Sequence, residues 1–347
     1  MNVLIVKISA LGDVIHALPT LAYIRDADPN ARIEWLVESA FAPLLQDHPL
    51  VDAVHTVDTK SCRRARDFPK AITHVMSRVR ALRERSFDAT LDLQGNTKSA
   101  LFTGLSRAPI RVGFDRESVR EPLNLLATNN KVRIGQEHFH ISTRVLRLAE
   151  AAFPDGPKNI PLTGPLPITA EAEKAIEPWL NNRDLQHTPF IVLHCGGTWE
   201  TKLLPETTWK KLARSLSDAG WHLVLTAGNA EERRLSGTIT RAVPRKAHIA
   251  PQTTLPQLAA LLSKAGAVIG GDTGPVHMAA AVGTPTVSYF RASDPARNAP
   301  TGENHIYLQS TMECAPCWKR DCEWNDDCRD TISPEAFITA LQQVTGT

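Results

Sequence analysis

The stretch from Val268 to Ala281, VIGGDTGPVHMAAA, decides the fold, because it joins an apolar strand through a glycine turn to the start of a helix. Gly270 and Gly271 allow a close approach of the backbone, and Pro275 suits the first turn of a helix. We expect Thr273 to cap that helix. Since the first N–H groups of a helix attract anions, the stretch predicts a phosphate-binding turn. The alternative interpretation is an ordinary capped turn.

Two side chains of this stretch can add chemistry to such a turn. His277 falls on the first helical turn, where its ring can reach the same anion. Asp272 precedes the helix and can accept hydrogen bonds from hydroxyl groups.

Outward from this stretch, strand and helix patterns alternate along the chain. Strands are predicted at 3–8, 32–38, 51–57, 88–93, 190–195, 221–227, 248–250, 267–269 and 285–289. Helices are predicted at 14–24, 69–85, 205–219, 230–243, 255–264 and 276–281, with a further helix opening after residue 94. This alternation is typical of parallel sheets covered by helices on both faces.

A proline-rich stretch at 154–167, PDGPKNIPLTGPLP, can sustain neither a helix nor a strand. We therefore predict two doubly wound domains, at 1–160 and 168–330, and a final helix at 333–345. Packing of that helix back on the N-terminal domain is one option. Ligands of such sheets bind at the carboxyl ends of the strands, so the two domains are expected to face each other across a cleft.

Composition excludes several classes of protein. A formal charge of +2 over 347 residues argues against a strongly basic nucleic-acid binder, and we expect no nucleic-acid partner. No apolar run reaches the roughly 18 residues that span a bilayer, which predicts a cytoplasmic protein with at most peripheral membrane contact. The sequence lacks both GxGxxG and the Walker phosphate loop, which disfavours a nicotinamide-dependent dehydrogenase.

Charged residues at three other turns are candidates for chemistry. Asp13 follows Gly12 at the end of the first strand, where it can act as a general base or only satisfy helix N–H groups. Lys202 lies on a loop after a strand, where a lysine either binds phosphate or is solvated. A basic loop carries Arg63, Arg64 and Arg66, which can read an acidic acceptor or lie in solvent.

Four cysteines, at positions 314, 317, 322 and 328, are interleaved with Trp318 and Trp324. One CxxC is present without a second, so the spacing matches no zinc signature cleanly. A metal or cluster site, redox-labile thiols and simple packing all remain open.

Taken together, five motifs resemble glycosyltransferase family 9, the ADP-heptose lipopolysaccharide heptosyltransferases. In chain order they are VKISALGDVIH at 6–16, ATLDLQGN at 89–96, RVGF at 111–114, Thr198 to Lys202 before Pro205, and GDTGPVH at 271–277. The segment Arg116–Pro122 is most similar to the heptosyltransferase I branch.

The resemblance implies an α/β fold of the GT-B class, with two doubly wound Rossmann-like domains facing an interdomain cleft. The N-terminal domain would bind the acceptor and the C-terminal domain the nucleotide sugar. The implied reaction is an inverting, metal-independent transfer of heptose from ADP-L-glycero-D-manno-heptose to the Kdo region of the lipopolysaccharide inner core. No cofactor is implied beyond this donor substrate. The implied location is the cytoplasmic face of the inner membrane, with peripheral membrane contact.

The resemblance also implies roles for individual residues. Asp13 would be the general base and Lys202 the catalytic clamp on the leaving diphosphate. The donor-binding residues would be Thr198, Lys202, Glu231, Asp272, Thr273, Gly274 and His277. The acceptor-binding residues would be Gly12, Arg63, Arg64, Arg66, Gln94 and Arg120. No residue is assigned to a metal.

Two departures from the family pattern leave the donor specificity open. Arg291 stands where a glycine is expected, and the turn at Gly196 and Gly197 is one residue longer than in some relatives. The alternatives are a heptosyltransferase II- or III-like enzyme acting on a later core sugar, another family 9 glycosyltransferase, and a non-catalytic nucleotide-binding module.

Overall fold

The computed structural model describes residues 1–59 and 68–346. The chain divides into two compact units, Met1–Pro167 and Ile168–Thr347. Each unit contains one six-stranded sheet, and all paired strands are parallel. This confirms the predicted α/β class with two doubly wound sheets.

The first unit alternates strands and helices in the predicted manner. Its strands are β1 (Asn2–Val6), β2 (Arg32–Glu38), β3 (Ala53–Val57), β4 (Ala89–Asp92), β5 (Ile110–Phe114) and β6 (Asn130–Val132). Its helices are α1 (Leu11–Ile15), α2 (Pro19–Ala27), α3 (Phe68–Arg83), α4 (Thr97–Leu105) and α5 (Ile141–Ala152). The strands lie in the order β3-β2-β1-β4-β5-β6.

The second unit repeats this alternation. Its strands are β7 (Phe190–His194), β8 (His222–Thr226), β9 (Ala247–Ile249), β10 (Ala267–Gly271), β11 (Thr286–Phe290) and β12 (His305–Gln309). Its helices are α6 (Ala170–Asn181), α7 (Glu206–Asp218), α8 (Ala230–Ala242), α9 (Leu255–Ser263), α10 (Gly274–Ala281), α11 (Pro295–Asn298), α12 (Asn325–Asp330) and α13 (Pro334–Thr345). The strands lie in the order β12-β11-β10-β7-β8-β9.

Both sheets therefore have the same topology, in which the first strand of the unit lies beside the fourth. The strand order reverses at that point, between β1 and β4 in the first unit and between β7 and β10 in the second. Ligands of open α/β sheets bind outside the carboxyl ends of the strands at such a switch point. The turns that follow these four strands are the places to look for functional residues.

The central strands read as continuous apolar runs because helices cover both of their faces. In the second unit the core is built around Trp209 of α7, whose ring lies 6.0 Å from that of Tyr289 and 6.3 Å from that of Phe337. Phe337 belongs to α13, which packs on α7, β11 and β12. The described contacts of the C-terminal helix thus include the core of its own unit.

Several elements had no counterpart among the predicted ones: β5, β6, β12, α5, α6 and the short α11 and α12. The edge strand β6 has only three residues, which is too short for an alternating pattern. The helix α6 contains Pro178, a residue that normally interrupts a helix. Among the described residues, no helix is long and apolar enough to cross a membrane.

Candidate active-site residues

The turn after β1 places Asp13 at the start of α1. One carboxylate oxygen accepts a hydrogen bond from the backbone N–H of Ala10 (3.0 Å), so the acid stabilises its own turn. The other oxygen lies 3.7 Å from Nζ of Lys7, which also donates to the carbonyl of Leu93 (2.9 Å). The side chain of Lys7 is 3% exposed and that of Asp13 is 34% exposed. A fixed ammonium therefore stands beside a carboxylate that a substrate hydroxyl can approach.

The turn after β4 supports the turn after β1. Oε1 of Gln94 accepts hydrogen bonds from the backbone N–H groups of Ile8 (3.0 Å) and Ser9 (3.1 Å). Gln94 itself is buried. The structure thus brings Gln94 to the same sheet edge as Asp13, and its amide oxygen is already engaged in holding the backbone that leads to Asp13.

Asp92 is the last residue of β4, and its carboxylate stabilises the turn that follows. One oxygen accepts from the backbone N–H groups of Gln94 (3.1 Å) and Gly95 (2.9 Å), and the other accepts from Thr103 Oγ1 (2.9 Å) and Asn124 Nδ2 (2.6 Å). Burial raises the pKa of the Asp92 carboxyl above its usual value, against the opposing effect of these hydrogen bonds. Asp92 is therefore a structural acid.

Gly95 has a left-handed backbone conformation, with a φ of +68°, and an added Cβ would lie 2.9 Å from the ring of Phe114. Only glycine fits this turn without strain. Its carbonyl accepts the backbone N–H of Glu121 (3.0 Å), which fixes the exposed Arg120 next to the turn. The other predicted acceptor-binding arginines, Arg63, Arg64 and Arg66, lie outside the described residues.

In the second unit, the loop after β7 and the turn after β10 meet at Asp272. One carboxylate oxygen accepts from Nζ of Lys202 (2.5 Å) and from Nδ2 of Asn298 (3.2 Å). The other oxygen accepts from Nε2 of His277 (3.0 Å). The side chains of Asp272 and His277 are each 5% exposed, and that of Lys202 is 15% exposed. Three side chains distant from one another in the chain therefore fix one buried carboxylate.

The charge state of Asp272 follows from these contacts. Burial alone would raise the pKa of the carboxyl, but the hydrogen bonds and positive charges of His277 and Lys202 outweigh burial and hold the pKa well below its usual range. Asp272 is thus ionised at neutral pH and orients Lys202 and His277. A carboxylate held in this state is a poor proton acceptor, so it is no candidate for the general base.

The start of α10 differs from the prediction in one detail. Thr273 occupies the N-cap position as expected, but its hydroxyl donates to the carbonyl of Gly271 (3.2 Å) and makes no capping hydrogen bond to the helix. The close approach predicted from the glycines is real, because a Cβ on Gly270 would lie 2.7 Å from Cγ2 of Val276. Gly274 is the first helical residue, and its turn carries His277.

Two predicted donor-binding residues, Thr198 and Glu231, are exposed. Glu232, which follows Glu231, lies at the sheet edge instead. Its carboxylate accepts a hydrogen bond from the backbone N–H of Gly228 (2.7 Å). A Cβ on Gly196 would lie 2.3 Å from the carboxyl group of Glu232. Glu232 was missed, although its position three residues after the capping Asn229 is a recognisable helix-start signal.

The described cysteines are free thiols: Cys195, Cys314, Cys317, Cys322 and Cys328. Across residues 1–59 and 68–346, no three His, Cys, Asp or Glu side chains are grouped so that they could hold one metal ion. Cys62 lies outside these ranges.

Comparison with known proteins assigns the chain to a family. The profile of glycosyltransferase family 9 (heptosyltransferase) matches residues 75–326. The chain belongs to glycosyltransferase family 9. The family predicted from the five motifs is therefore confirmed.

Relatives within family 9 cover nearly the whole chain. The lipopolysaccharide heptosyltransferase 1 of Pseudomonas aeruginosa is 33% identical over 329 residues, which cover 93% of this chain and 88% of that protein. The lipopolysaccharide heptosyltransferase 1 of Escherichia coli (strain K12) is 29% identical over 315 residues, covering 90% of this chain and 95% of that protein.

A solved structure of family 9 matches equally broadly. The Escherichia coli heptosyltransferase WaaC with ADP superposes with a TM-score of 0.82 at 25% identity, over 99% of this chain and 100% of that one. Together with the two parallel sheets, this match confirms the predicted GT-B class.

Seen as a family 9 enzyme, the chain carries its candidate residues in two sets, one at the switch point of each unit. Asp13 and Gln94 share the edge of the first sheet, and Lys202, Asp272 and His277 share the edge of the second. The predictions missed Lys7 and Asn298, both of which touch a candidate acid. Lys7 lies within the first family motif, which was a usable signal, whereas Asn298 lies outside all five motifs.

Proposed function

We propose that this glycosyltransferase transfers heptose from ADP-L-glycero-D-manno-heptose to the Kdo region of the lipopolysaccharide inner core. The names of its relatives and the ADP bound in the similar WaaC structure support this proposal. The observation that carries it is the cluster of Lys202, His277 and the buried anion Asp272 at the switch point of the second unit. Such a cluster fits the diphosphate of a nucleotide sugar.

On the donor side, the reaction breaks the bond between the anomeric carbon of heptose and the diphosphate oxygen. Negative charge grows on the diphosphate as it leaves. Asp272 fixes the ammonium of Lys202 and the ring of His277, so these donors need not reorganise as the charge develops. The N-terminus of α10 adds backbone N–H groups with the favourable end of the helix dipole. We assign Thr198, Glu231, Thr273 and Gly274 to donor binding with them.

On the acceptor side, a hydroxyl oxygen of the acceptor attacks the anomeric carbon from the face opposite the leaving ADP, which inverts the configuration. Its proton passes to the carboxylate of Asp13, a solvent-accessible acid near the switch point of the first unit. We propose that Gly12, Gln94 and Arg120, with Arg63, Arg64 and Arg66, bind the anionic acceptor. The first unit is thus the acceptor domain and the second the donor domain.

We further propose that the chemistry needs no metal ion, because Lys202, His277 and the helix N-terminus supply the positive charge that the diphosphate requires. The acceptor is anchored in lipid, so we place the enzyme at the cytoplasmic face of the inner membrane in peripheral contact with it.

The test is release of ADP from ADP-heptose by the purified full chain, with and without Kdo-bearing acceptors, in buffer containing EDTA. ADP should appear only when the acceptor carries Kdo and no heptose. Turnover only with heptose-bearing acceptors would instead identify an enzyme of the later core. Tight ADP binding without any transfer would identify a nucleotide-binding module, and loss of activity in EDTA would overturn metal independence.

A further inference from the structure

The loop that carries Lys202 rests on the cysteine segment, residues 312–330. The buried hydroxyl of Thr201 donates to the carbonyl of Lys319 (2.7 Å). The guanidinium carbon of Arg320 lies 4.7 Å from the centre of the Trp199 ring, and Nζ of Lys202 lies 4.8 Å from the same ring. The neighbours of Lys202 in the loop are therefore held by a segment more than a hundred residues away.

Arg291 fastens the same two parts of the chain together. Nη1 donates to the carbonyl of Leu203 (2.5 Å), and Nη2 donates to the carbonyl (2.6 Å) and to Oδ1 (2.7 Å) of Asn325. These acceptors are neutral oxygens, yet Arg291 is only 1% exposed. A buried cation is costly when, as among the described residues here, its hydrogen-bond acceptors are neutral oxygens. The cost is understandable if the planar fork of the guanidinium fixes the two segments to each other.

The cysteine segment also reaches the other side of the Lys202–Asp272 pair. The backbone N–H of Trp318 donates to the carbonyl of Ala292 (2.8 Å), and Arg297 lies 5.9 Å from the centre of the Trp318 ring. Asn298 directly follows Arg297, and its side-chain amide donates to Asp272. The cysteine segment thus contacts both the loop of Lys202 and the region of α11, whose Asn298 donates to the counter-ion Asp272.

We propose that Arg291 is a positioning residue for the donor diphosphate. It ties the Lys202 loop to the cysteine segment and so sets the ammonium of Lys202 against Asp272. The inference rests on the donor role proposed above for these two residues. Arg291 stands where the family pattern leads one to expect a glycine, so this support is a departure from that pattern.

Arg291→Met is the direct test, because it keeps much of the side-chain volume and removes every donor. A displacement of about 1 Å in a catalytic group can cost about 100-fold in rate, and we expect a loss of this order in kcat/KM for the donor. The affinity for ADP, measured by titration calorimetry on the full chain, should fall about 10-fold or more. The KM for the acceptor should stay unchanged.

The matched control is Arg25→Met, which removes an arginine that also donates to two backbone carbonyls, those of Pro29 and Ala31, both at 2.9 Å. It should leave ADP affinity unchanged even if it lowers Tm. Arg291→Lys, which keeps the charge but loses the fork, should lie between wild type and Arg291→Met, and it replaces Arg291→Met if that variant does not fold.

Two outcomes would overturn the proposal. If the folded Arg291 variants lose thermal stability but bind ADP as wild type does, Arg291 is structural only and the donor site stands. If wild type itself does not bind ADP, the donor site fails and the role of Arg291 fails with it.

Discussion

Two aspartates lie near the switch points of the two units, Asp13 at the start of α1 after β1 and Asp272 directly after β10, and their surroundings differ sharply. Asp13 is 34% exposed and has one cation at 3.7 Å, whereas Asp272 is 5% exposed and accepts hydrogen bonds from three side chains. The same residue type is thus left available to a substrate in one unit and committed as a fixed counter-ion in the other. Position in the fold suggests a site, and the contacts decide which chemistry it can perform.

The largest expected effect is the loss of kcat on removing the proposed general base, Asp13, and it distinguishes this residue from the counter-ion Asp272. Asp13→Asn removes the proton acceptor with little change of shape, so kcat should fall by about 100- to 10,000-fold. ADP affinity should stay close to wild type and Tm should fall only slightly, because an asparagine oxygen can still accept the N–H of Ala10 and Lys7 keeps its hydrogen bond to the carbonyl of Leu93. Steady-state kinetics and ADP titration measure both, and persistent turnover would rule Asp13 out as the base.

The counter-ion should behave in the opposite way. Asp272→Asn breaks a buried ion pair and leaves Lys202 without its partner, which should lower the free energy of unfolding by about 3–5 kcal/mol. ADP affinity should fall as well, since Lys202 and His277 lose their orientation. Urea unfolding alongside Asp13→Asn as the control measures the difference, and equal stabilities of the two variants would contradict the comparison.

The same carboxylate predicts a pH dependence. The pKa of Asp272 is lower in the folded than in the unfolded protein, so its contribution to stability is present at neutral pH and is lost as pH falls. The stability difference between wild type and Asp272→Asn should therefore narrow as pH drops below about 4, the value of an unperturbed carboxyl. A difference that stays constant from pH 6 to pH 3 would contradict the shift.

Asp92 provides a third case, a buried acid whose partners are neutral. In Asp92→Asn an amide would face the amide of Asn124, which should lower the free energy of unfolding by about 1–3 kcal/mol at neutral pH. Because the folded pKa of Asp92 is raised, its contribution is fully present below the unfolded pKa and declines as pH rises through the folded value. The cost of the substitution should therefore be greatest in acid, the reverse of Asp272→Asn, and urea unfolding at several pH values tests this sign.

The smallest expected effect concerns Arg120. It is exposed, and exposed charge pairs are worth up to about 1 kcal/mol, so Arg120→Ala should raise the acceptor KM at most about fivefold. ADP affinity should not change. Arg233→Ala, an exposed arginine on α8, is the control and should leave both values unaltered. If Arg120→Ala changed the ADP affinity and left the acceptor KM unaltered, Arg120 would not be an acceptor-binding residue.

Much of the fold could be predicted because its signals are local. Strand β2 has its predicted bounds, 32–38, and the bounds of α8 and α9 are within one residue of prediction. Periodic apolar residues, glycine turns and prolines near helix starts can be recognised within a short window of sequence. The elements that were missed are short, lie at a sheet edge or contain an interrupting residue such as Pro178.

The candidate site could be predicted only as separate parts. Asp272 and His277 lie five residues apart at the start of α10, so the sequence indicated that both belong to one turn, but not that they pair with each other. Thr273 shows the limit of such local reasoning, since its hydroxyl turned to Gly271 instead of the helix. Likewise, Glu232 and not Glu231 folds back on the glycine turn.

The sequence by itself determined the alternating architecture, the family and the residues of each motif. Only the tertiary structure decided how those residues are used. Lys202 and Asp272 lie 70 residues apart, and Gln94 lies 86 residues from Ile8. They meet because the sheet order places β7 beside β10 and β1 beside β4, although other strands intervene along the chain. Short-range patterns specify strands and turns. Assembly of the whole sheet determines which turns become neighbours and which carboxylate, here Asp272, is buried away from solvent.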